Sequence, residues 1–195
     1  MRGLKQGVAS LILGTLLAEA DPGKAFAYQP PVVEKCLFDD SLSMFDRERV
    51  EYATNLATYA AKCVVEKGAD AASLEQARRI IGLALHLSPR NRQALVVNFQ
   101  LKQGVLPEVK KGDYNPRTLS RLLLSRARLL AQGENENGKL LAGCFVELAA
   151  LIDPRNEDAV YAYEIQRLES GDVDWRLITE ATQDGPSKAR HPEGE

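Results

Sequence analysis

One stretch of this chain is written twice. Residues 77–95 read ARRIIGLALHLSPRNRQAL and residues 142–160 read AGCFVELAALIDPRNEDAV, an offset of 65. Seven of the 19 aligned positions are identical: Ala77/Ala142, Leu83/Leu148, Ala84/Ala149, Pro89/Pro154, Arg90/Arg155, Asn91/Asn156 and Ala94/Ala159. Ordinary residue frequencies would give about one. Apolar character also persists at Ile80/Phe145, Ile81/Val146, Leu87/Ile152 and Leu95/Val160, and Gly68/Gly133 keep the same offset. A period of this kind means that one supersecondary unit is used twice, each copy burying a face it cannot bury alone.

The unit reads as helix. Leu74, Ala77, Ile80, Ile81, Ala84 and Leu85 fall at the 3–4 spacing of an amphipathic helix. The spacing predicts a first helix over 47–66, capped by Asp46 and facing inward through Ala53, Leu56, Ala57, Ala60 and Val64. It predicts a second over 74–87, capped by Ser73 with Gln76 completing a capping box. A third opens at Ser88-Pro89 and stops at Gly104. After a loop over 105–115 the pattern recurs: a fourth helix from Asn115-Pro116 to Gly133, a fifth over 139–152, and a sixth from Asp153-Pro154 to Gly171, with a last turn over 175–181. The fold class expected is all-α, about six helices in two related three-helix units of an antiparallel helix-pair stack, at about 46–104 and 111–171 within a domain over 46–182. At 195 residues one domain has ample apolar content for a core.

Within each copy, Ala77, Ile81, Ala84 and Pro89, and again Ala142, Val146, Ala149 and Pro154, sit at 0, +4, +7 and +12. This resembles the second helix of a tetratricopeptide repeat and the proline that opens the next helix. Gly171-Asp172-Val173 is similar to that family's interhelix turn, with valine in the aromatic place. The resemblance covers roughly residues 47–173. The first helices lack the family's Trp, Gly and Tyr, and the 65-residue offset differs from twice the family period. The resemblance implies a surface that holds a peptide or a partner's helix, supplied by the helices after the prolines: Val96 and Gln100 in the third, Tyr161, Ile165 and Leu168 in the sixth. The same residues serve equally well as packing against neighbouring helices.

The beginning of the chain reads as an address. Arg2 and Lys5 precede an apolar run from Gly7 to Ala18, too short to span a bilayer, and Ala25-Phe26-Ala27 offers small residues at both key positions of a cleavage site. Residues 1–27 are expected to be a signal peptide and the protein exported, periplasmic or secreted; the other reading is an uncleaved segment that packs on the domain or anchors it to a membrane. Residues 28–45 form an extended arm, since Pro30 and Pro31 disfavour helix before them. Residues 183–195 are nearly free of apolar side chains and are expected to be a disordered tail. In an oxidising compartment the odd count of three cysteines leaves at least one unpaired. Cys36 with Cys63 is the favoured pair, because the arm carrying Cys36 leads into the helix carrying Cys63; the alternative is three ordinary thiols.

The chemistry-bearing residues are sparse. With 25 basic against 27 acidic residues there is no basic excess for nucleic acid. There is no CxxC or Cys/His cluster for zinc. Gly133–Lys139 has the spacing of a phosphate loop, but Leu140 stands where Ser or Thr would bind magnesium, and two glutamates lie inside it. His86, at the end of the second helix, is expected at a surface or edge, its counterpart being Leu151. Arg117, Arg121, Arg126 and Arg128 make the fourth helix basic, a solvated face or a strip for an acidic partner. No catalytic set, cofactor or metal site is assembled by these residues. The expected function is non-catalytic: a protein–protein interaction module or adaptor of the cell envelope. A structural homo-oligomer and a small exported enzyme or cofactor carrier are the alternatives.

Overall fold

The computed structural model describes residues 25–38, 42, 44–109 and 115–180. The apolar run from Gly7 to Ala18, the middle of the loop after Gly104, and residues 183–195 lie outside the described residues. Those described are all-helical, with no strand: α1 (Asp46–Glu66), α2 (Ala71–Leu87), α3 (Arg92–Lys102), α4 (Pro116–Leu130), α5 (Glu136–Ile152), α6 (Glu157–Ser170) and α7 (Arg176–Thr179).

α1 packs along α2 and α4 along α5, each pair joined by a short glycine-bearing turn. The first of these turns places Gly68 and Ala69 in the left-handed region, φ 64° and 56°. α3 lies on α1 and α2, α6 on α5, and α7 on α2. The expected inward faces are the buried ones: Ala53, Leu56, Ala57, Ala60 and Val64 on α1, and Leu74, Ala77, Ile80, Ile81, Ala84 and Leu85 on α2. The two units meet through α1. Tyr52 packs its ring on Phe145 of α5 (centroids 5.2 Å apart) and donates to Leu122 O of α4 at 3.3 Å. Glu48 grips Arg126 of α4, Nε to Oε1 at 2.6 Å, so one of the four arginines expected on a solvated face is an inter-unit bond.

Helix starts differ from expectation in a consistent way. α2 is capped by Asp70, whose carboxylate accepts from Ser73 N at 2.7 Å, three residues before the expected cap. α3 and α6 start not at the prolines but beyond them, capped by Asn91 and Asn156. Pro89 and Pro154 occupy the preceding turns. α1 has Phe45 at its cap position, without a side-chain bond, and Asp46 inside its first turn. Asn115-Pro116 does open α4 as expected.

The larger departure is α2, which is buried almost all round. Every residue from Ile80 to Leu87 is buried. Its far side is covered by the arm and by α7, which meet there: Val32 N donates to Thr179 O at 2.9 Å. The approach is close enough to need glycine, since a Cβ on Gly82 would lie 2.8 Å from Ile178 O and 3.3 Å from Pro31 Cβ. His86 is therefore not at a surface. It is 3% exposed, accepts from Leu37 N at Nδ1 (3.3 Å) and donates from Nε2 to Ile178 O (3.2 Å), with Phe38 edge-on to its ring. That pattern fixes the Nε2–H tautomer, and burial holds the ring's pKa below its usual 6.5.

The same geometry rules out a bond between Cys36 and Cys63; all three cysteines are free. Cys36 donates to His86 O at the C-terminal end of α2. That end lies beside the start of α1, where Asn91 reaches Val50 O. Cys63 is 13 residues further along α1, about 20 Å at 1.5 Å per residue.

Candidate functional site

The two asparagines in the repeated Pro-Arg-Asn explain why that run is kept in both copies. Asn91 caps α3 by accepting from Ala94 N at 3.1 Å and donates its amide to Thr54 Oγ1 of α1 at 2.8 Å. Asn156 caps α6 by accepting from Ala159 N and donates to Ser120 Oγ of α4 at 2.9 Å. Each is a latch that ties the start of a third helix to a hydroxyl on the first helix of its unit.

Beyond the latch the copies diverge. α3 buries Ala94, Val97 and Leu101. The corresponding α6 residues are Ala159, Ala162 and Gln166, and of the 14 residues in α6 only Ala159 is buried. With these shorter and more polar side chains α6 meets α4 less closely than α3 meets α1, and a cleft of about 490 Å³ opens there, lined by Leu124, Ala127, Leu140, Val146, Ala162 and Gln166 among others. Gln166 bridges it, donating to Gly143 O at 3.4 Å. On the opposite side of α6, Tyr161, Ile165 and Leu168 recur at i, i+4 and i+7; Tyr161 is 70% and Leu168 76% exposed, and Ile165 is half-buried. On α3, Val96 is exposed and Gln100 half-buried. Leu95 and Phe99, which the sequence reading did not select, are exposed beside Val96. The five selected residues thus form two patches, one on each third helix. Phe99 was findable, since it falls on the Leu95–Val96 face at helical spacing.

A second cleft, about 480 Å³, opens between α2, α5 and the segment 172–180. Arg78, Arg79 and Arg176 line it with Glu75, Glu147, Asp172, Asp174 and Glu180, and with Tyr163 and Trp175. Arg79 bonds Glu75 at 3.1 Å, and Arg176 bonds Asp174 through Nε and a terminal nitrogen, both at 2.9 Å. Trp175 Nε1 donates to both oxygens of Glu147, at 2.9 and 3.0 Å. Burial raises the Glu147 pKa; the Trp175 bond and the nearby charge of Arg79 oppose that rise. Burial also raises the Tyr163 phenol. Nothing in the repeat pointed to this cleft, because its residues come from both units and from the segment after α6. The only sequence signal was that Trp175 is the sole tryptophan.

Comparison of the chain with protein-family models, with curated proteins and with solved structures finds no match.

Proposed function

We propose that this chain is a non-catalytic interaction module of the cell envelope, a TPR-like helical stack that holds a peptide or a partner's helix on the outer faces of its third helices. The observation that carries this reading is α6. An isolated helix of 14 residues is marginal in water, yet this one turns Tyr161 and Leu168 outward, leaves Ile165 between them half-buried, and buries only Ala159. An i, i+4, i+7 apolar face is the pattern by which helices dock into grooves or pair with other helices. Stacks of helical units normally end in a polar outer face, and this face is not polar. Export rests on residues 1–27 as read above.

The test places a photo-crosslinking amino acid at Tyr161 or Leu168 in the native cell, with exposed Arg90 as the control position. A discrete adduct at the α6 positions, lost on Ile165→Ser with the helical signal intact, supports the reading. Adducts as frequent from Arg90 as from Tyr161 refute it. If the adduct is a second copy of this chain, and light scattering gives a dimer that Ile165→Ser dissociates, the module is instead a homo-oligomer that pairs through α6.

A further inference from the structure

α3 and α6 are equivalent helices of the repeat, and their outward faces carry opposite charge. α3 turns Leu95, Val96 and Phe99 to solvent, between exposed Arg92 at its first residue and exposed Lys102 at its last, and it has no acidic residue. α6 turns Tyr161 and Leu168 to solvent, with Ile165 half-buried between them. Exposed Glu157 and Asp158 stand at its start and exposed Glu169 near its end. Its one basic residue, Arg167, is bound to Glu164 at 2.8 Å. Among the described residues no ion pair engages Arg92, Lys102, Glu157, Asp158 or Glu169.

The two patterns also match in length. Arg92 and Lys102 are ten residues apart, about 15 Å along the helix; Asp158 and Glu169 are eleven apart, about 16 Å. Laid side by side in either direction, apolar centre meets apolar centre and each basic end meets an acidic one. Two α6 faces together would set acids against acids, and two α3 faces would set bases against bases, so charge selects the unlike pair. α3 packs on α1 and α2, whereas α6 packs on α5 and α4. The two faces therefore belong to different units, and both are exposed within one copy of the chain.

We propose that α6 of one copy docks on α3 of another, so that this chain is its own partner through unlike faces. The proposal rests on the reading that the third helices hold a partner's helix, and it names that helix. Each copy offers both faces. Two copies that satisfy each other's faces close as a pair; otherwise the contact repeats and the assembly grows. A contact between helices of 11 and 14 residues is at the small end of specific interfaces, so the association is a weak one.

The test is a charge swap followed by analytical ultracentrifugation of the full chain, from about 10 μM to 1 mM at low salt. One variant carries Arg92→Glu with Lys102→Glu, the other Asp158→Lys with Glu169→Lys. All four residues are exposed, and far-UV circular dichroism checks that both variants fold. The parent is expected to gain mass with concentration. Each variant alone has like charges on its two faces, and is expected to associate about tenfold or more weakly. Mixed in equal amounts, the two variants again present unlike faces to each other, and association should return to within about threefold of the parent. A parent that stays monomeric at about 1 mM, variants that associate as the parent does, or a mixture no tighter than its components would each overturn the proposal. Tighter association in the Asp158→Lys, Glu169→Lys variant would overturn it too, and would mark pairing of α6 with α6. A monomeric parent whose Tyr161 crosslinks to a different protein sinks this proposal alone; the absence of any discrete α6 adduct sinks the reading beneath it as well.

Discussion

Replacing an interior helical glycine with alanine ordinarily stabilises a protein, because alanine forms helix better by about 1 kcal/mol. Gly82 is predicted to do the reverse. Its new methyl would lie 2.8 Å from Ile178 O, a main-chain atom that cannot swing aside as a side chain can. α7 would have to move, and three hydrogen bonds go with it: Val32 N to Thr179 O (2.9 Å), Arg78 to Thr179 O (3.2 Å) and His86 Nε2 to Ile178 O (3.2 Å). At about 1 kcal/mol each they outweigh the propensity gain, leaving Gly82→Ala less stable by about 2 kcal/mol. In a domain of this size that is a fall in Tm of roughly 4–8 °C. Gly143 on α5 is the internal control. A methyl there meets only the side chains of Gln166 and Val173, both at 3.4 Å, so Gly143→Ala should be more stable by up to about 1 kcal/mol. Urea unfolding followed by far-UV circular dichroism measures both. If Gly82→Ala gains stability as Gly143→Ala does, α7 is not seated on α2 and the account of the clasp is wrong.

Two further outcomes follow from the same contacts. The His86 ring is kept neutral, its pKa below 6.5. As pH falls below that value the unfolded chain takes up a proton that the folded chain refuses. The contribution is therefore intact above about pH 6.5 and is lost below it, at up to about 1.4 kcal/mol per pH unit until the folded pKa is passed; a His86→Gln variant whose stability falls just as steeply between about pH 7.5 and 5.5 would assign the effect elsewhere. The latches differ in depth: Asn91 is buried and Asn156 half-buried. Asn91→Ala is expected to cost about 2–3 kcal/mol and Asn156→Ala about 1–2 kcal/mol by losing a cap and a hydrogen bond to the first helix; equal and negligible losses in urea melts would show that neither asparagine ties its helix down.

The legible part of this molecule was whatever its local spacing dictated. The inward faces of α1 and α2 follow from 3.6-residue periodicity alone, and all eleven residues chosen for them are buried. The starts of α3 and α6 lie beyond the expected ones because a proline alone does not mark the first helical residue: Asn91 and Asn156, two residues on, supply the side chains that accept from the helix N–H groups. His86 is buried where a surface place was expected, and Cys36 meets His86 O in place of Cys63, both for a tertiary reason. Nothing in the pattern of α2 says that the arm and a segment some ninety residues downstream will fold over its polar-looking side, and Gly82 becomes meaningful only once Ile178 is beside it. The outward face of α6 could be chosen from the repeat, because Tyr161 and Ile165 stand at positions given by α3. The cleft around Glu147 could not, because the repeat relates equivalent residues, and this cleft is built from non-equivalent ones.

The clasp on α2 also bears on how the chain is made. His86 takes its partner Ile178 from 92 residues further along. At a synthesis rate of about 5–20 residues per second, α2 waits several seconds, after α1 and α3 are complete, with only the arm on its Gly82–His86 side and the place of α7 open. The first unit therefore completes its cover only when α7 arrives, and a fragment ending in the loop after α3 would present to water the part of that side on which Ile178 and Thr179 sit. Such a fragment is the form of this protein most in need of a chaperone.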